Sequence, residues 1–171
     1  PDRAGIQIQA ASGQDSMALM TVYHGSFQAE PMPEQKPHEA AGDFGSGFYC
    51  SLIREQAERR ARRYPKGTIS VYDVKLQSGL RMRDFKALSD EWLDFITASR
   101  NGKAHDYDIV IGPMADDQIY SCVADFMDGA LTREQFWALA KYRYPAYQMA
   151  FCSAAALKCL RYRCSQEIMR D

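Results

Sequence analysis

The sequence predicts a single α+β domain, and three observations carry that expectation. Short runs rich in β-branched and aromatic residues, such as Thr68 to Leu76, Tyr107 to Ile111 and Tyr147 to Cys152, are closed by Gly, Pro or Ser and read as strands. Segments with helical apolar spacing lie between them and open on good N-caps at Ser89 and Thr132. The 171 residues are 46% hydrophobic, which suffices for one core and leaves little for a second domain.

The elements follow in order. Residues 1 to 16, rich in Gly, Ser, Gln and Ala without a sustained period, are expected to be an expression remnant or a mobile tail, with the domain over 17–171 and Met17 as a native start. A strand from Leu19 to Ser26 ends in a His-Gly turn. Pro31, Pro33 and Pro37 deny residues 27 to 42 both helix and ladder bonding, so this is a long loop of the kind that often serves as a lid. Phe48 to Cys50 is a second strand, and Ser51 is positioned to cap a helix from Leu52 to about Arg63. Ile53, Ala57 and Ala61 would pack that helix on a sheet, while Arg54, Arg59, Arg60, Arg62 and Arg63 make it strongly basic.

After the Thr68–Leu76 strand come the Ser78-Gly79 turn and a short strand at Leu80 to Met82. Ser89 caps a helix with Asp90 and Glu91 in its first turn, an apolar stripe of Trp92, Leu93 and Ile96, and an Asn101-Gly102 stop. Tyr107 to Ile111 is almost continuously apolar, which predicts a central strand ended by Gly112-Pro113. Gly129 splits residues 117 to 144 into two helices; Thr132 and Gln135 form a capping box, Trp137 and Leu139 are expected to face inward, and Pro145 stops the second. The last strand, Tyr147 to Cys152, leads through Ser153 as N-cap into a helix over Ala154 to Leu160.

Composition narrows the function. A formal charge of -1 gives no global reason for polyanion binding, which would need a local patch. No apolar run approaches the roughly 20 residues of a membrane span, which predicts a soluble, cytoplasmic protein with no membrane partner. Five cysteines, an odd number with no Cys-x-x-Cys spacing, argue against a zinc site or a disulfide framework. His38 and His105 read as loop residues.

The most informative local patterns are Tyr23-His24-Gly25-Ser26 and Asp43-Phe44-Gly45-Ser46-Gly47-Phe48-Tyr49. A glycine lets backbone groups approach a flat ligand, a histidine can bond a sugar hydroxyl, and a tyrosine face can stack on a heteroaromatic ring. A dinucleotide carrying nicotinamide suits such a pair. At these residues the sequence resembles the ADP-ribosyltransferase superfamily in its diphtheria-toxin and poly(ADP-ribose) polymerase branch, whose strand motifs run His-Gly-Ser and Phe-Gly-x-Gly-hydrophobic-Tyr. Over roughly residues 20 to 162 it is similar to a group of small bacterial proteins long filed as a domain of unknown function and regarded as transferase-like. That likeness runs through the Tyr107–Pro113 and Tyr147–Cys152 segments and Ala156-Leu157.

With the residue pattern, the resemblance implies two small facing antiparallel sheets with peripheral helices. It also implies NAD as co-substrate, no metal, and mono-ADP-ribosyl transfer to a macromolecular acceptor, protein or nucleic acid. By analogy with small bacterial transferases it implies a toxin with a neutralising partner protein. On the resemblance, His24 binds the adenosine ribose with support from Ser26, the Gly25 backbone holds the nicotinamide carboxamide, Gly47 belongs to the cofactor cradle, and Tyr49 stacks on the nicotinamide. The superfamily's later catalytic glutamate corresponds to Gln148, which can bond a ribose hydroxyl but carries no charge and cannot act as a base. Chain elongation is therefore not expected. The polymerases' second stacking tyrosine falls near Arg60. The alternatives are a silent module binding NAD or ADP-ribose, an NAD glycohydrolase, or an NAD-dependent RNA phosphotransferase of the same fold.

Overall fold

The structure, a computed structural model, describes residues 20–35, 42–115, 117–140 and 146–169. Expectations for residues 1–16, Met17, Leu19, Pro37, His38 and Pro145 lie outside them. The order is β1 (Met20–Ser26), β2 (Phe48–Ser51), α1 (Arg54–Ala61), β3 (Gly67–Val74), β4 (Met82–Asp84), α2 (Asp90–Arg100), β5 (Ile109–Pro113), α3 (Asp117–Met127), α4 (Arg133–Ala140), β6 (Tyr147–Phe151), α5 (Ala154–Leu157) and β7 (Leu160–Ile168). The strands form one seven-stranded sheet, β4-β5-β6-β2-β1-β3-β7, antiparallel except for the parallel β4–β5 pair. The α+β class agrees with the sequence. The two facing sheets do not, because β6 pairs with both β2 and β5 and β1 joins β2, making one continuous ladder.

That ladder is uneven. β1 and β3 pair from Met20↔Val74 to Ser26↔Thr68, and β2 pairs with β6 along its whole length, but β1 and β2 meet only at Tyr23↔Ser51. Beyond this point the strands part, and the His24 side chain spans the gap: Nδ1 donates to the Tyr49 carbonyl at 2.6 Å and the ring stacks on Phe48 at 4.1 Å. Strand alternation then sorts the core by face. One face carries a core built on Val22, Phe48, Tyr72, Ile109, Met149 and Phe151. The other carries two: Ala57 and Ala61 of α1 on Ile69 and Val71, and α2–α4 residues such as Trp92, Ile96, Ile119 and Phe136 on Val110 and Ala150.

Local chemistry explains three of the helix starts. Ser89 Oγ accepts from the Trp92 amide and Ser153 Oγ from the Ala156 amide, while Thr132 and Gln135 exchange both bonds of a capping box at 3.1 and 2.8 Å. Several expectations change. Ser51 stays in β2, so α1 starts at Arg54 from an Ile53 N-cap that has no side-chain bond. Leu139 is 53% exposed, because Phe136 and Ala140 are the α4 residues at the helical spacing that meets the core; Trp137 is half-buried and donates to Asp90. β4 lies two residues later than expected, and β5 includes Gly112-Pro113 and sits between β4 and β6, away from the sheet centre. α5 stops at Leu157 and the chain turns into β7, an edge strand.

Candidate functional site

A cleft of about 710 Å³ opens where β1 and β2 part, between the α1 core and the α2–α4 core. His24, Gly25 and Ser26 come from β1, Tyr49 from β2 and Gln148 from β6, so five of the six residues expected from the sequence line one cavity. Gly47 does not. A Cβ there would meet the Phe151 carbonyl at 3.1 Å and Cys152 Sγ at 3.3 Å, so its missing side chain serves the approach to the end of β6. Gly25 also has a structural reason: a Cβ would lie 2.2 Å from the Ala57 carbonyl, so the glycine lets the α1 backbone rest on β1.

Tyr49 is fixed at both ends. Its hydroxyl accepts from the Phe44 amide at 2.9 Å and donates to the Gly45 carbonyl at 2.5 Å, while its ring occupies the space a side chain at Gly42 would need. Gly45 closes this turn at φ +86°, a left-handed conformation that favours glycine. Burial raises the Tyr49 phenol far above its usual range, so it stays protonated and acts as a hydrogen-bond donor. His105, a loop residue as expected, supports the same turn: Nδ1 accepts from the Tyr107 amide, so Nε2 donates to the Phe44 carbonyl at 2.7 Å.

Asp43 organises the wall opposite α1. Its Oδ1 pairs with Arg100 at 3.1 Å, both side chains being largely buried, and its Oδ2 accepts from the Ala115 amide at 2.9 Å and from Gln148 Nε2 at 3.3 Å. An acceptor-only carboxylate fixes which way the buried amide points, with Nε2 toward Asp43 and Oε1 away from it. A glutamate at 148 would instead place two carboxylates together, which gives a physical reason for the neutral residue. Cys152, near Tyr49, is pushed up to about 12 by burial, so it is not a thiolate nucleophile at neutral pH.

The α1 wall differs in kind. Glu58 pairs with Arg54 at 3.1 Å and Arg62 at 3.7 Å, whereas Arg59, Arg60 and Arg63 line the cleft and form no ion pair with a described residue. Gln56, also lining it, has a buried Oε1 with no hydrogen-bond donor among the described residues. Segment 27–35 is tied down on both sides: the Glu30 amide donates to Ser70 Oγ, the Glu30 carbonyl accepts from the Tyr72 hydroxyl, and Gln35 Nε2 donates to the Cys152 carbonyl. Phe27 and Glu30 of this segment reach the cleft.

Sequence reasoning quoted Asp43 without a role and passed over Arg100 and Gln56. Asp43 and Arg100 are 57 positions apart, and no local pattern joins them. Among the described residues no group of three or more His, Cys, Asp or Glu could hold a metal ion, and no helix is long and apolar enough to cross a membrane.

No curated protein matches the chain. A family profile described as Protein of unknown function (DUF3990) matches residues 20–162, which contain the whole cleft, and the chain belongs to that family.

Proposed function

We propose that the cleft binds NAD and that the protein transfers a single ADP-ribose unit to a macromolecular acceptor. The carrying observation is the convergence of His24, Gly25, Ser26, Tyr49 and Gln148, from three strands, on one cavity of about 710 Å³. That volume lies within the roughly 300–1,000 Å³ typical of ligand sites. The orphaned Gln56 Oε1 fits a ligand that brings its own donor, as ribose hydroxyls and the nicotinamide amide do.

In this reading the Tyr49 ring faces the nicotinamide, and its hydroxyl bonds keep that ring from turning. His24, whose ring is held by the Nδ1 bond to the Tyr49 carbonyl, contacts the ribose. Arg60, whose charge acts on Tyr49, meets the diphosphate. Bound NAD supplies a ribose carbon whose leaving group, nicotinamide, departs neutral with the bonding electron pair. The protein's task is positioning and stabilising positive charge on the ribose. Gln148 Oε1 accepts from a ribose hydroxyl, and Asp43 holds the amide in that orientation.

A second reading, a silent NAD-binding module, is favoured by the neutral Gln148, which offers no base to an acceptor. Nicotinamide release at saturating NAD, with binding measured separately by calorimetry, decides between them. We expect release above background, unaffected by chelators, and a drop of about tenfold or more in Gln148→Ala that exceeds its loss of NAD affinity. Background release with retained binding leaves only the module; no NAD binding removes both readings.

A further inference from the structure

We propose that the α1 rim of the cleft, Arg59 and Arg63 with Phe27 and Tyr64, binds single-stranded nucleic acid, and that this is the acceptor of the ADP-ribose. The acceptor half rests on the transferase reading; the binding half does not.

Arg59 lies in the last turn of α1 and Arg63 in the turn that follows the helix end. Both are exposed, both line the cleft and neither pairs with a described acid, although Glu58 on the same helix takes up Arg54 and Arg62. Guanidinium groups without an acidic partner among the described residues suit backbone phosphates. Beside them stand two rings in contact, Phe27 and Tyr64, with centroids 5.9 Å apart. Phe27 is 58% exposed, so its ring face is open to a stacking ligand.

Guanidinium groups interleaved with open aromatic faces are the chemistry of single-strand recognition: charge tracks the backbone and unpaired bases stack. A duplex hides its base faces and would use only the arginines. An acidic protein segment would likewise use the charges and leave the rings idle. The formal charge of -1 supplies no long-range attraction, so the affinity must come from this patch. In the transfer step the ribose carbon's bond to nicotinamide breaks with its electron pair leaving on nicotinamide. A base nitrogen or a hydroxyl oxygen of the strand supplies the pair of the new bond, and its proton passes to water.

The test is fluorescence anisotropy of the full chain with short labelled single-stranded DNA, single-stranded RNA and duplex DNA across a salt series, without NAD. We expect one or both single strands to bind more tightly than the duplex, with log K falling against log salt. Each phosphate neutralised on a single strand contributes about 0.7 to that slope, so Arg59→Gln/Arg63→Gln should flatten it by about 1.4. Phe27→Ala should weaken binding by about 5- to 150-fold with the slope kept. Failure of both strands to bind, equal binding of duplex, or a slope unchanged in the double variant overturns the rim assignment. With NAD labelled on its adenylate, label should appear on the bound strand. Retained strand binding without label overturns the acceptor half alone. Label on protein from a lysate, with the strand unbound, points to an acidic protein and overturns the proposal.

Discussion

The two walls of the cleft use charge in opposite ways. On one side the charged groups pair with each other: Asp43 holds Arg100, the Ala115 amide and Gln148, and Arg100 also lies 4.0 Å over the Tyr120 ring. On the other side α1 and the turn after it present Arg59, Arg60 and Arg63 to the opening, with no ion pair to a described residue. A largely buried ion pair mainly fixes geometry, since its attraction is offset by desolvation, while exposed charge costs little to keep and is available to a ligand. The first wall is therefore built to orient a reacting group and the second to attract an anion.

Substitutions should separate the walls sharply, and the largest effect is expected at Asp43. Asp43→Ala strands Arg100 in a largely buried place and leaves the Ala115 amide unpaired, so it should cost about 3 kcal/mol of stability in urea unfolding. A loss under about 1 kcal/mol would mean that the pair is not the wall's organiser. Gln148→Glu probes the same wall through charge. The new carboxyl beside Asp43 should have a folded-state pKa raised above the ordinary value of about 4.3, because a like charge disfavours ionisation. A raised group keeps its stability below the unfolded pKa and loses it as pH rises through the folded value. The variant should therefore match wild type near pH 4 and fall about 1–2 kcal/mol below it by neutral pH. A deficit independent of pH would indicate a steric cause.

The smallest effect belongs to the other wall. Arg59→Gln should leave unfolding within about 0.5 kcal/mol of wild type, as for exposed side chains with no special contact. A substantially larger loss would show that this arginine holds the fold, and the contrast between the walls would fail.

What could be read from the sequence depended on whether the signal was local. α2 and α4 announced themselves through Ser89 and the Thr132–Gln135 pair, whose bonds close within three residues. β3, β5 and β6 carried apolar runs that a sheet covered on both faces requires. β7 gave no such signal, because Arg161, Tyr162, Arg163 and Cys164 are exposed on both faces of an edge strand and show no alternation. The single sheet was equally hidden, since its continuity rests on one pair, Tyr23↔Ser51. At the site, the glycine motifs flank the cleft, and two of their glycines have packing reasons that motif spacing does not encode: Gly25 makes room for α1 and Gly47 for β6. Asp43, Arg100 and Gln56 act through partners distant in sequence or through burial, which motif spacing does not encode.

Whether NAD binds in the gap between β1 and β2 is decided by amide hydrogen exchange with and without saturating NAD. Binding there should give saturable, chelator-insensitive slowing confined to residues 23–27, 42–51 and 56–64 and to the Gln148 region of β6, with β7 and α4 unchanged. No slowing at any NAD concentration, or slowing that spares these segments and appears elsewhere, would contradict it.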